Sequence, residues 1–376
     1  MGTGSMSARL GQYVKDYYPD SKSDLFAVFI EHCGQITKKS GFQSMITQHA
    51  WMFLSSYEQL RLKLKTIDII NMAHLGARAF DEIGGEVVQT TAFVLQISHT
   101  NERIGLYCRL ISPTCQNGKE KMFLSGDNRF FCRKESFSQI PGSQIAYWLN
   151  ENALSNFTRC NSLATYIDFC KGMATMDNAR FLRAWSEVSI NNTCFGARSA
   201  QEGMTSNMKW FPYNKGGEYR RWFGNRYYVI NWLNDGEELK ENIVKVYGGG
   251  SYTKEVRNEN RYFIEGLTWS TLSTGNISFR YSPFGSLFDS KGSMGFSKNA
   301  KDMKYILAYL NSCVVQFYLT ILSPTLDYNI RGLNDLPYIS YNNPRIPILT
   351  EKNIAISKTD WDSFETSWDF KRHPLV

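Results

Sequence analysis

Paired metal ligands are missing from this sequence of 376 residues. Its eight cysteines (Cys33, Cys108, Cys115, Cys132, Cys160, Cys170, Cys194 and Cys313) include no pair at the two- to four-residue spacing of a zinc knuckle, and the five histidines are scattered. That excludes a zinc-finger module and predicts buried, reduced thiols in a cytoplasmic protein. No apolar run reaches about 18 residues, the length a membrane-spanning helix needs. The first residues lack the basic-then-apolar layout of a secretory signal. Charge of one sign is also in short supply: the net +7 is spread over both halves, which permits a polyanion partner without requiring one. No internal repeat or low-complexity segment stands out. Asp24, Glu31, Asp81 and Glu82 form no catalytic carboxylate pair, Glu82 reads as loop surface, and no Ser-His-Asp order is present.

What is present is a core-forming chain, 43% hydrophobic and rich in aromatics, long enough for two domains. Ser23-Asp24 can cap a helix whose apolar positions Leu25, Phe26, Phe29, Ile30, Cys33 and Ile36 recur at helical spacing and which Gly41 ends. Phe42–Ile46 reads as a short buried strand, Trp51–Lys65 as a helix, and Ile67–Met72, Val87–Ile97 and Ile104–Ile111 as strands, the last two joined by the polar turn "SHTNER". A helix between two strands implies a parallel crossover, and the closing strands read as antiparallel. The order predicts an α/β fold: the distal half of a doubly wound sheet, without the first half that usually supplies a glycine-rich cofactor turn.

Beyond about residue 150 the strands shorten, the turns fill with Gly and Asn, and aromatics interleave with Arg. From Lys209 to Arg226 there are five basic residues and one acid, among or beside Trp210, Phe211, Tyr213, Tyr219, Trp222, Phe223, Tyr227 and Tyr228. Arg and Lys supply phosphate contacts, Arg can read a guanine edge, and aromatics stack on unpaired bases. An antiparallel sheet with aromatics inward and cations outward would give the same composition. If the segment is a strand, Arg220 and Arg221 point to opposite faces. "VYGGGSY" has no amphipathic helix after it and reads as a turn, not a phosphate cradle. "AKDMKYILAYLNSCVVQFYLTIL" reads as one helix.

The stretches "YYPDSKSDLFAVFIEHC", "MITQHAWMFLSSYEQLR" and "INMAHLGARAFDEIGGEVVQTTAFVL" together resemble the PglX family, the adenine-specific DNA methyltransferases of type 1 BREX phage-defence systems. "FRYSPFGSLFDSKGSMGF", "LNSCVVQFYLTILSPTLDYNIRGLNDLP" and "ETSWDFKRHPL" resemble later parts of the same family, so the likeness spans nearly the whole chain. "KGMATMDNARFLRAW" resembles the phrase that opens the target-recognition region of related large methyltransferases, with one departure: Met176 stands where Gly is expected before Asp177-Asn178.

The resemblance implies a methyltransferase (Rossmann-like) sheet, with residues 1–150 as the C-terminal half of the catalytic domain and residues 151–376 as a mixed α/β target-recognition region. It implies that Met1 follows directly on the catalytic Asn-Pro-Pro-Tyr motif and that the chain is a fragment. "MGTGSM", which alone looks like a cloning scar, becomes family sequence. The parent would transfer a methyl group from S-adenosylmethionine to the exocyclic amino group of a flipped adenine. This chain, which has no Asn-Pro-Pro-aromatic motif of its own, is expected to bind no cofactor by itself and to supply double-stranded DNA binding and target reading. The residues expected to do so are Lys171, Asn178, Arg180 and Arg183 in the entry loop, and Lys209, Lys215, Arg220, Arg221, Arg226 and Arg280 in the basic aromatic region. Gln48 and His49 either border the active-site mouth or form a helix-capping turn. Further expected partners are other BREX proteins or a chain supplying the missing half. The alternative is a non-catalytic DNA-binding or complex-assembly module.

Overall fold

The structure is a computed structural model that describes residues 1–82, 88–98, 100, 103–273, 275–324 and 327–376. It divides into two compact units, Met1–Cys160 and Asn161–Val376. The expected boundary at 150/151 falls at the start of the last helix of the first unit.

In the first unit, helices α1 (Ala8–Tyr17) and α2 (Leu25–Ile36) precede strand β1 (Phe42–Gln48). Asp24 caps α2 as its spacing predicts, accepting from the Phe26 N–H. Then come α3 (Glu58–Leu64), β2 (Asp68–Gly76), β3 (Thr90–Gln96), β4 (Ile104–Arg109), α4 (Gln116–Ser125), β5 (Arg129–Arg133) and α5 (Glu151–Arg159). The strands form one sheet in the order β1-β3-β2-β4-β5. β3 is antiparallel to both β1 and β2, so those two run parallel, as the crossover predicts. β4 is parallel to β2 and lies on the other side of it from β3, so β3 and β4 are not hairpin partners. Val87, the expected first residue of that strand, lies outside the described residues.

Two expectations need correction here. β1 is not buried but an edge strand, with Phe42 and Ile46 more than 60% exposed. Two of its inward positions are polar, on either side of Met45, which packs on the core: Gln43 donates to the Ile30 carbonyl, and Thr47 accepts from the Trp51 indole N–H. The helix expected over Trp51–Lys65 is broken into 3-10 turns at His49–Met52 and Ser55–Tyr57 before α3. Arg61, buried among apolar neighbours, donates to the carbonyls of Trp51 and Leu54, groups that a continuous helix would have satisfied itself, and to that of Gly142.

The second unit carries β6 (Asn161–Ser162), β7 (Ile167–Cys170), α6 (Asn178–Phe181), β8 (Leu182–Ala184), α7 (Ala200–Thr205), β9 (Trp210–Asn214), β10 (Tyr228–Asn231) and α8 (Leu233–Val246). These are followed by β11 (Gly266–Trp269), β12 (Phe279–Ser282), β13 (Leu287–Phe288), β14 (Met294–Ser297), α9 (Met303–Leu310), α10 (Cys313–Leu322), α11 (Ile330–Asn334), β15 (Pro337–Tyr338) and α12 (Arg345–Asp362). Two four-stranded sheets, β13-β9-β10-β8 and β12-β11-β14-β7, share a core that includes Phe211, Tyr213, Trp232, Phe263, Phe288 and Phe296. The architecture is therefore mixed α/β, as expected.

The helix expected from Ala300 to Leu322 is two helical segments bent by 77°. Asn311, buried at the bend, bonds both the N–H and the carbonyl of Phe279 through its side chain, and Ser312 caps α10. A buried amide that completes a strand's hydrogen bonding outweighs the propensity to continue the helix. Among the described residues no single helix is long and apolar enough to cross a membrane. The glycine turn reads as expected: Gly248, Gly249 and Gly250 all have positive φ and lead into a 3-10 turn at Tyr252–Lys254.

Candidate functional site

In the first unit β1, β2 and β4 run in one direction, so Gln48-His49, His74 and Arg109 gather at their carboxyl ends, the edge where open α/β sheets bind ligands. Gln48 is exposed and His49 half-buried. His49 begins a 3-10 turn but makes no side-chain cap, and its Nδ1 lies 2.8 Å from Nε2 of buried His74. On the far side of His74, Nδ1 is 3.1 Å from the Tyr147 hydroxyl. That hydroxyl has no other partner among the described residues, so Tyr147, His74 and His49 form one hydrogen-bonded chain whose direction follows the tautomer of His74, and one ring nitrogen of His49 faces away from it. Burial pushes His49 down to about 4 and His74 down to about 3, the latter helped by His49, Arg109 and Lys119. Both rings are neutral at pH 7. Arg109 lies 4.8 Å from the Trp148 ring centroid, and buried Lys119 donates to the Leu75 and Leu110 carbonyls, closing the ends of β2 and β4. The set is one of a cation, aromatic faces and neutral imidazoles.

In the second unit, Lys171 is exposed and is followed by Gly172, where a Cβ would sit 2.0 Å from the Phe288 carbonyl oxygen. Asp177 caps α6, and Asn178 accepts from the Thr175 hydroxyl at 2.6 Å. Met176 has φ +58°, the left-handed backbone that suits the glycine its position resembles. Arg180 is committed: it donates twice to Glu238 and once to Asn242. Arg183 donates to the Ala179 and Leu182 carbonyls. Lys215 pairs with Asp289 at 2.6 Å, and Lys209 lies over the Trp210 ring.

The segment holding the remaining arginines is corrected by the structure. Residues 215–227 are loop, not strand, so Arg220 and Arg221 do not alternate across a sheet. Arg220 pairs with Asp360 and lies over Trp361. Arg226 lies 4.8 Å from the Trp368 ring centroid, with burial pushing its guanidinium down to about 10 against the pull of Asp369 and Asp362. Trp185 donates to the Thr366 carbonyl, and Phe195 packs on Trp368. The end of the chain therefore sits on the basic aromatic region, and Arg220 and Arg226 hold it there. Arg280 is 1% exposed and is not a surface contact. Lys171, Lys209 and Arg221 have no acidic partner among the described residues, and Arg221 lies over Tyr219.

Sequence reasoning missed His74 and Tyr147, which are 73 residues apart and meet only through the sheet. The signal available was a histidine near the end of an apolar strand, in "INMAHLG". It also missed the role of the closing "ETSWDF", which nothing local marks as a partner of Arg226. Among the described residues there is no cluster of three or more metal-ligating side chains. The Gly248–Gly250 turn has no helix N-terminus behind it, so it does not fit a nucleotide-type cofactor.

The sheet thus has a polar carboxyl edge and is joined in sequence to a unit with basic aromatic loops. Residues 1–80 match the Eco57I restriction-modification methylase family. The chain is 43% identical over 387 aligned residues to the adenine-specific methyltransferase PglX of Lacticaseibacillus casei (strain Zhang), covering all of this chain and 32% of that protein. It is 41% identical over 386 aligned residues to the adenine-specific methyltransferase BrxX of Escherichia coli O9:H4 (strain HS), covering all of this chain and 30% of that protein. The chain thus spans about a third of the length of these curated relatives, and its resemblance to the PglX family holds from end to end. Its fold is similar to that of the Type IIL restriction-modification enzyme MmeI, solved in complex with DNA, at a TM-score of 0.59 and 11% identity over all of this chain and 51% of that one.

Proposed function

We propose that this chain is the DNA-recognising part of an adenine-specific DNA methyltransferase that acts in phage defence in the cytoplasm. Residues 1–150 would be the distal half of the catalytic domain and residues 151–376 the target-recognition region. The observation that carries the reading is the 43% identity to a protein named as an adenine-specific methyltransferase, sustained along the whole chain. In the whole enzyme S-adenosylmethionine supplies the methyl group. The residues here contribute by binding the duplex and bordering the site that receives the flipped base.

Gln48 and His49 border that site, a role supported by their place at the carboxyl edge of the sheet. The Tyr147–His74–His49 chain holds the His49 ring in place there and leaves its outer nitrogen able to hydrogen-bond. Lys171, Lys209 and Arg221 contact phosphate. Asn178 and Arg183 contribute from the entry loop, and Arg180 and Lys215 do so once released from Glu238 and Asp289. Arg220 and Arg226 act indirectly, by holding the chain's end.

Fluorescence anisotropy with a 30-base-pair duplex and calorimetry with S-adenosylmethionine test this on the purified chain. Duplex binding that weakens with salt at a log–log slope of about −3 to −4, without cofactor uptake, is expected for three or four neutralised phosphates. Absence of DNA binding would overturn the reading. Cofactor binding would move the chain's share toward catalysis.

A further inference from the structure

Two loops of the second unit face each other across an open groove of about 990 Å³, one wall carrying Glu218 and Tyr219 and the other Leu272 and Asn276. Both walls are tied down from behind. Ser270 donates to the Gly217 carbonyl, Asn225 to that of Glu218 and Tyr328 to that of Gly275. Trp222 is held at φ +72°, a conformation strained for a bulky residue, because its N–H bonds the Phe279 carbonyl and its own carbonyl accepts from Tyr281. The backbone is therefore preset while the groove's side chains stay free: Tyr219 and Leu272 are more than half exposed. The heads of Glu218 and Asn276 have no hydrogen-bond partner among the described residues.

Arg280 lies behind both walls. Its guanidinium donates to the Arg220 carbonyl and to the hydroxyls of Ser278 and Ser270 at 3.3–3.4 Å, and Nε has no partner among the described residues. Among the described residues no carboxylate is bonded to it, so its positive charge stands unpaired there in a poorly screening interior next to the groove. Burial pushes it down only to about 10, which leaves it charged at neutral pH.

We propose that this groove is the base-reading site for double-stranded DNA, with Asn276 and Glu218 bonding base edges and Leu272 touching a thymine methyl group. The pairing follows from donor and acceptor chemistry: an amide matches adenine bidentately, a carboxylate accepts from the cytosine amino group, and an apolar tip suits the thymine methyl. The uncompensated charge of Arg280, with Arg221 over Tyr219, gives a polyanion a reason to enter a groove whose own head group, Glu218, is acidic. The inference rests on the DNA-binding reading above and adds to it the residues that choose the sequence.

The test is selection from a randomised duplex library by the full chain and by its E218A, N276A and L272A variants, followed by affinity for the selected and a scrambled duplex. The three side chains are exposed or at a groove surface, and thermal unfolding at the wild-type temperature confirms folded variants. The expected result is a changed or relaxed preference at one or two positions, with about a tenfold loss on the selected duplex and unchanged scrambled-duplex affinity. Variants that select the wild-type sequence with wild-type affinity would overturn the groove assignment and leave DNA binding standing. So would a wild-type chain that binds all duplexes equally. A wild-type chain that binds no duplex would remove both.

Discussion

Arg220 Nη1 lies 2.8 Å from Asp360 Oδ2, and the same guanidinium stands 5.1 Å from the Trp361 ring centroid. A residue whose sequence context suggests a nucleic-acid contact is thus spent on the chain's own closing helix. Its neighbour Arg221 has no acidic partner among the described residues. The two adjacent arginines therefore have different work. Arg220→Ala is expected to lower stability by about 1 kcal/mol, as a half-exposed ion pair with a stacked cation allows, and to leave DNA affinity near wild type. Arg221→Ala is expected to weaken binding to every duplex and to reduce the salt slope by about one unit. Anisotropy and thermal melts of the two variants, side by side, check this. Equal loss of DNA affinity in both would return Arg220 to the DNA surface.

The histidine pair predicts a pH dependence. His74 is held at about 3 in the fold against an ordinary value near 6.5, so the unfolded chain takes up its proton first as pH falls. The stability this neutral imidazole brings is fully present above about pH 6.5 and is lost as pH falls toward 3, at up to about 1.4 kcal/mol per pH unit. His49, held at about 4, adds to the loss over the upper part of that range. Urea titrations between pH 7.5 and 4.5 should show the slope in the native chain and a shallower one in His74→Gln. A native stability flat across that range would contradict the buried, neutral pair.

Asp68 is a fully buried carboxylate of the first sheet. Burial alone would raise its carboxyl, but the Lys134 ammonium at 2.7 Å, the Thr100 N–H and the Ser98 hydroxyl hold it below the ordinary range. Asp68→Ala removes the buried carboxylate that Lys134 and Arg103 share, and a loss of about 3–5 kcal/mol is expected by chemical denaturation. A loss under 1 kcal/mol would mean that water reaches the site.

The edge strand β1 predicts association. Phe42 and Ile46 are exposed on a strand that is paired on one side only. Residues 1–160 expressed alone should self-associate, and Ile46→Lys should reduce this by placing a charge on the edge. Light scattering of the two proteins decides it. A monodisperse native monomer with a sharp melt would contradict the exposed-edge account.

Much of this architecture was legible because apolar spacing reports burial: α2, β2, β3 and β4 lie where periodicity places them. The misreadings share a cause, polar side chains doing structural work that hydrophobic patterns do not encode. Gln43 and Thr47 turn β1's polar face inward, Arg61 replaces helical hydrogen bonds, and Asn311 breaks a helix that its neighbours favour. For the site, composition identified the basic aromatic region but could not say which cations are free. That depends on acids 58 to 140 residues away, Glu238, Asp289 and Asp360, whose pairing with Arg180, Lys215 and Arg220 exists only in the folded chain.

Ultraviolet crosslinking of the full chain to a duplex, with the crosslinked peptides read by mass spectrometry, tests the central claim most directly. The account predicts crosslinks in the second unit, at residues 171–183 and around Lys209, Tyr219, Arg221 and Asn276, competed away by unlabelled duplex. Crosslinks confined to residues 1–160, or none above those given by a non-binding protein, would contradict it.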